Sequence, residues 1–335
     1  TAREVAAVRC GVGINEVQNF GKFRVTGPNA RAWLDRMMAG RIPAPGRVSL
    51  TPMLSEHGKL IGDFTVSCFD DTHFQLTASY SSQAYHARWF GQHEESGVTI
   101  CNISDKITGF QIAGPRARAV LAACTRSDIN AMRFMDVRRL TVGQTDCIVQ
   151  RLSYTGDLGF EIYCDPMDQR ALWSVLWQAG EPHGITPFGM RAMMSLRLDK
   201  FFGSWMAEYS PDYTAAETGL DRFIAWKKNS DFIGRAAAEA ERAKPPARQL
   251  VAFDVDALDA DVQGYEPIWL DGAVVGFCTS GGYSHFAQKS IALGFVPRDR
   301  GVEGLKVEIE ILGQMRPARL ITTPLFDPDG KMMRG

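Results

Sequence analysis

A short internal repeat constrains the architecture of this chain more than any other feature. Phe23-Arg24-Val25-Thr26-Gly27-Pro28-Asn29-Ala30-Arg31-Ala32-Trp33-Leu34 aligns with Phe110-Gln111-Ile112-Ala113-Gly114-Pro115-Arg116-Ala117-Arg118-Ala119-Val120-Leu121. Each copy alternates like a half-buried strand, turns at Gly, and enters a helix with Pro in its first turn, where the missing N–H costs nothing. Two related strand–turn–helix units predict two similar subdomains. A chain of 335 residues also exceeds what one core fills, so two or three packed domains are expected.

The best boundary is Lys244-Pro245-Pro246, which follows a charged Ala/Glu-rich helix and precedes a strand-rich tail. That tail holds Leu250 to Val255, a hairpin from Ile268 to Phe277 with an Asp271-Gly272 turn, and Leu305 to Leu320 around Gly313. It reads as a small β-barrel or sandwich. Further upstream, Asp165-Pro166 caps a helix that buries Leu172, Trp173, Leu176 and Trp177 and stops at Gly180. Another helix is predicted from Thr186-Pro187 through Met190, Met193, Met194 and Leu198, with the methionines as core packing.

Charge balance narrows the function. Lys and Arg number 37 against 38 Asp and Glu, which steers away from nucleic acid and from anionic membranes. No run approaches the roughly 18 apolar residues of a membrane span, and Thr1 to Val8 lack a signal-peptide core, so a cytoplasmic location is expected, or the mitochondrial matrix in a eukaryote. The start at Thr1 without Met is what processing or truncation would leave. Seven widely spaced cysteines read as reduced core thiols. No Gly-x-Gly-x-x-Gly or Walker-type loop occurs, so FAD, NAD and ATP are not expected to bind in their usual ways, and any redox step is placed outside this chain. The six histidines lack metal-ligand spacing and no Gly-x-Ser-x-Gly elbow occurs, so no metal is predicted.

Charged groups in apolar surroundings remain. Asp63 lies in Leu60-Ile61-Gly62-Asp63-Phe64-Thr65-Val66, a strand-like run where Asp is disfavoured. It either stabilises a bulge beside Gly62 or is an acid held in a cleft to meet an amine. In Ser153 to Tyr163, Asp157 sits in a Gly-flanked turn and reads as structural, whereas Glu161 falls on an alternating apolar strand and needs a partner if buried. Arg197, between Leu196 and Leu198, is either a surface ion-pair residue or the clamp for a carboxylate or buried acid.

In these residues the chain resembles the glycine-cleavage T-proteins over nearly its whole length. The landmarks run in order: Gly27-Pro28, Gly58 to Asp63, Tyr154 to Glu161, Ser195 to Lys200, Phe232-Ile233-Gly234 and Thr279-Ser280-Gly281. Ala216 to Leu220, Gly276 to Gly282 and Pro324 to Gly330 are similar to the folate-binding part of dimethylglycine and sarcosine dehydrogenases. The resemblance implies an α+β cloverleaf of two ferredoxin-like subdomains and a C-terminal β-barrel around a central folate channel. The boundaries expected are 1–50 plus 149–243, then 51–148, then 247–335.

It further implies tetrahydrofolate as cofactor, with Asp63 catalytic and Tyr154, Asp157, Glu161 and Arg197 around the folate. Asp157 stands where the family usually has Glu, which shortens its reach. The implied reaction forms 5,10-methylenetetrahydrofolate from a methylated amine or its imine, coupled to a flavoprotein domain or subunit. Two other readings are direct methyl transfer to tetrahydrofolate from a sulfonium or methoxy donor, and a non-catalytic folate-binding accessory protein. The accessory proteins carry a characteristic Cys that Lys200 to Trp205 lacks.

Overall fold

The computed structural model describes residues 1–257 and 259–335. The chain opens with helix α1 (Ala2–Cys10) and strand β1 (Gly13–Glu16), then leaves to build a complete second lobe. That lobe comprises β2 (Phe20–Thr26), α2 (Ala30–Met37), β3 (Arg47–Leu54), β4 (Leu60–Asp70), β5 (His73–Ser79), α3 (Gln83–Gln92) and β6 (Thr99–Asn102), with its strands in the order β3-β4-β5-β2-β6. The chain then returns to β1 through β7 (Thr108–Ala113), α4 (Ala117–Cys124), β8 (Val137–Val142), β9 (Thr145–Gln150), β10 (Gly159–Cys164), α5 (Gln169–Gly180), β11 (Thr186–Pro187) and α6 (Met190–Leu198). This first lobe has the strand order β11-β1-β7-β10-β9-β8.

Period-2 alternation explains the layering. In the second lobe Phe23, Val25, Phe64, Val66, Phe74 and Leu76 face Trp33, Leu34 and Phe90 of α2 and α3. In the first, Ile112, Val149, Phe160 and Ile162 face Val120, Leu121, Leu172 and Leu176 of α4 and α5. Helices cover only one face of each sheet, and the other faces carry polar residues. The repeat marks equivalent units, because 23–34 is β2 and α2 of one lobe and 110–121 is β7 and α4 of the other.

Strand pairing differs from the expected boundaries. The expected first subdomain, 1–50 plus 149–243, cuts through β3 and assigns β2 to the wrong lobe: β2 pairs with β5 and β6, and β1 with β7 and β11. The crossings fall at residues 17–19 and 103–107 instead. No break in composition marks them, since hydrogen bonding between distant strands decides them. The predicted helix start at Thr186-Pro187 also moves. Those two residues form β11, parallel to Gly13-Ile14, and the helix begins at Met190 after Gly189. Met193 is buried there, while Met190 is exposed.

Helix α7 (Ala215–Thr218) and helix α8 (Arg235–Ala243) lead to the Pro245-Pro246 junction. A closed six-stranded barrel follows: β12 (Arg248–Val255), β13 (Pro267–Leu270), β14 (Ala273–Ser284), β15 (Lys289–Pro297), β16 (Lys306–Ile311) and β17 (Gln314–Ile321). Its hairpin turns at Asp271-Gly272 and Leu312-Gly313 hold positive φ at both positions, the geometry that matches strand twist. All seven cysteines are free. Among the described residues no helix is long and apolar enough to cross a membrane.

Candidate active site

The polar faces of the two sheets oppose each other. Across the first lobe, cross-strand pairing lines up Asn15, Gln111, Glu161 and Gln150 on β1, β7, β10 and β9. Directly paired residues share a face, and this is the face away from α4 and α5. Across the second lobe, Lys22, Thr77 and Thr65 form one row and Arg24, Gln75 and Ser67 the next. The faces meet where the Lys22 ammonium lies 5.9 Å from the Tyr163 ring centroid.

This seam holds unpaired polar atoms in number. Ser67 Oγ, Gln75 Nε2, Gln111 Oε1 and both amide atoms of Gln150 are buried without a partner among the described residues. Native structures rarely leave such groups unpaired, so water or a bound molecule is needed to meet them. Two surface cavities flank it. One of ≈ 440 Å³ is walled in part by Tyr163, and one of ≈ 620 Å³ in part by Asn15; neither includes Asp63 or Glu161.

Glu161 is 5% exposed and accepts the Tyr163 hydroxyl on Oε2 at 2.6 Å. Burial pushes its carboxyl up to about 7, against the pull of that bond and of Lys22. Lys22 is itself lowered to about 8 by burial, with Glu161 holding it up. Oε1 of Glu161 has no partner among the described residues.

Asp63 lies on β4 directly after a bulge, where the register with β3 shifts between Met53 and Leu54. The bulge frees the Ile61 carbonyl, which pairs with His86 Nε2 at 3.0 Å. Burial lowers His86 to about 4, so the ring is neutral and donates to the carbonyl. Gly62 leaves room for that ring: an added Cβ would lie 2.8 Å from His86 Nε2 and 2.5 Å from the Phe64 ring. Gly62→Ala is therefore expected to cost about 1–3 kcal/mol in urea unfolding.

Asp63 is half-buried, with no side-chain partner among the described residues, and removal from bulk water raises it to about 7. Its charge is felt by Tyr154 and Tyr209, both pushed upward mainly by burial. Their hydroxyls bracket Gly203: Tyr154 donates to its carbonyl at 2.7 Å, and Tyr209 accepts from its N–H at 3.2 Å.

Asp157 and Arg197 are engaged elsewhere. Asp157 pairs with Arg9, whose second arm bonds Asp199 at 2.7 Å, and the Arg9 guanidinium lies 3.7 Å from the Phe326 ring centroid. Arg197 is fully buried and bonds Glu208 at 3.0 Å and Ser280 at 2.8 Å, tying α6 to the barrel. Their terminal groups are committed to internal ion pairs because a lone charge in either place would be uncompensated. Both side chains are drawn into these internal pairs, and Asp157 keeps one buried oxygen, Oδ1, without a partner among the described residues.

Reading along the chain missed Lys22, Gln111, Gln150, Tyr163, His86, Tyr209 and Glu208. Gln111 carried a usable signal, since it interrupts an apolar strand as Glu161 does, whereas Gln150 ends its strand beside Arg151. The others needed the fold.

Residues 1–228 match the model of the GCVT N-terminal domain, and residues 248–327 match that of the glycine cleavage T-protein C-terminal barrel domain. The chain belongs to the glycine-cleavage T-protein family. It is 30% identical to the aminomethyltransferase of Geobacillus sp. (strain WCH70) over 96% of this chain and 89% of that one. It is 36% identical to the mitochondrial dimethylglycine dehydrogenase of Homo sapiens over 94% of this chain, which spans 37% of the length of that relative. The fold matches the glycine cleavage system aminomethyltransferase T of Bartonella henselae with a TM-score of 0.88 at 23% identity, over 98% of this chain and 90% of that one. The shared architecture is the α+β pair of lobes with a C-terminal barrel.

Proposed function

We propose that this chain transfers a one-carbon unit to tetrahydrofolate from the imine that a flavoprotein makes by two-electron oxidation of an N-methyl amine, giving 5,10-methylenetetrahydrofolate and releasing the demethylated amine. The carrying observation is Asp63, a carboxylate without a side-chain partner, raised to about 7 beside the inter-lobe seam. Family membership supports the reaction class, and the likeness to dimethylglycine dehydrogenase supports an N-methyl amine donor with a flavoprotein domain or subunit as the source of the imine.

The residues present fit the cofactor. Glu161 Oε1 and Gln111 Oε1 are acceptors without partners, suited to the N–H edge of a pterin. When bound, tetrahydrofolate supplies the amine nitrogens that take up the carbon. Glu161 grips and orients the ring edge while Tyr163 holds the carboxylate's other oxygen. Tyr154, whose hydroxyl fixes the segment at Gly203, would border the pocket. Asp63, ionised, stabilises positive charge developing on the donor, and near neutral pH it can also accept or return a proton.

Calorimetric titration with tetrahydrofolate tests the binding half. Glu161→Gln should weaken affinity about 10- to 100-fold, the scale of a hydrogen bond to a buried charge. Wild-type affinity should also fall as the pH drops below about 7, because protonation removes an acceptor from Glu161. The transfer half is read as methylenetetrahydrofolate formed, with a flavoprotein supplying the imine, faster than free formaldehyde condenses with tetrahydrofolate. No binding of tetrahydrofolate by the wild-type chain would overturn the proposal.

A further inference from the structure

The chemistry above leaves Gln150 unused and treats Gln111 only as an available acceptor. Both lie beside Glu161 in the strand register, Gln111 on β7 and Gln150 on β9. A buried amide in a central strand is unfavourable unless its dipoles are met. Gln150 has no exposed surface, and neither its Oε1 nor its Nε2 has a partner among the described residues.

Gln111 is polarised by a relay. The Phe188 carbonyl can only accept, so Asn15 turns Nδ2 toward it. That leaves Asn15 Oδ1 facing Gln111 Nε2, which donates across 3.2 Å. Gln111 Oε1 is therefore fixed as a buried acceptor without a partner. On the adjacent strand Tyr163 occupies Glu161 Oε2 and leaves Oε1. Two acceptors of set polarity thus stand side by side, roughly 5 Å apart at Cβ, with an amide of either polarity next to them.

We propose that Gln111 and Gln150 are ligand-binding residues that act with Glu161 to read the edge of a flat, amino-substituted heterocycle. Gln111 Oε1 and Glu161 Oε1 each accept from a ring or exocyclic N–H, and the Gln150 amide meets a neighbouring ring acceptor or donor. The inference rests on the reading of the seam as the pterin site and adds the residues that select the ring.

Gln150→Met and Gln111→Met replace each amide by a group of similar length. Both variants should bind tetrahydrofolate about 5- to 100-fold more weakly than wild type. The same loss should appear with 6-methyltetrahydropterin, which has the ring and no tail. A purely structural amide would instead lower thermal stability. Gln150→Met should melt no lower than wild type in the absence of ligand, because it removes two unmet polar atoms from the interior. If wild type binds both probes and both variants match it, the row holds only water or packing atoms and this inference fails alone. If Gln150→Met melts far below wild type with unchanged affinity per folded molecule, the residue is structural and the inference likewise fails. If wild type binds neither probe, the pterin reading fails and carries this one with it.

Discussion

Asp63→Asn is expected to lower one-carbon transfer on the order of 10²- to 10³-fold, the cost of removing one preorganised electrostatic group, while tetrahydrofolate affinity stays close to wild type. Asn keeps the shape of the side chain and removes the charge, so the loss should appear in the rate of transfer. The same variant makes a thermodynamic prediction of definite sign. Asp63 in the folded protein titrates near 7, above its ordinary value of 3.8, so between those limits the native state binds more protons than the unfolded chain. Stability from this group therefore falls as the pH rises from about 4 to 7. Asp63→Asn lacks that loss. Its melting temperature should exceed that of wild type at pH 8 and converge with it near pH 4. A variant less stable than wild type at pH 8 would mean that the carboxylate makes stabilising contacts and is not held ready for a ligand.

Arg9→Met is expected to have the largest effect on stability. Arg9 on α1 bonds the Thr155 carbonyl at 3.0 Å, the Leu196 carbonyl at 3.1 Å, and the carboxylates of Asp157 and Asp199. The tail is drawn into the same knot, because the N–H groups of Leu325 and Phe326 bond the Asp199 carbonyl. Removing the cation leaves two buried carboxylates facing each other, a loss of about 3–5 kcal/mol and roughly 4–7 °C in melting temperature. Asp157→Asn should also destabilise, by less, and should leave tetrahydrofolate affinity unchanged. A marked loss of affinity in Asp157→Asn without loss of stability would make Asp157 a folate contact.

The Arg9 knot gives Asp157 an internal partner that its local sequence does not announce. Its turn, Thr155-Gly156-Asp157, carries the family pattern, and the partner that claims it is 148 residues away on α1. Arg197 is a parallel case, because the buried acid that it pairs with, Glu208, lies outside its own helix. Asp63 and Glu161 were legible for the opposite reason. Each is a carboxylate inside an alternating apolar strand, where its cost without a use can be judged from neighbours one and two residues away.

By itself the sequence determined the local pieces of this protein: two strand–Gly-Pro–helix units, the barrel hairpins with their positive-φ turns, the junction at Pro245-Pro246, and two carboxylates out of place in apolar strands. These follow from periodicity, turn chemistry and the cost of burying charge, which act over a few residues. Only the tertiary structure decided that the chain crosses between lobes near residues 18 and 105, that the polar faces of the two sheets close on each other, and which charges are neutralised inside. Those outcomes depend on hydrogen bonds and ion pairs between residues tens to hundreds of positions apart, whose pairing no local pattern encodes.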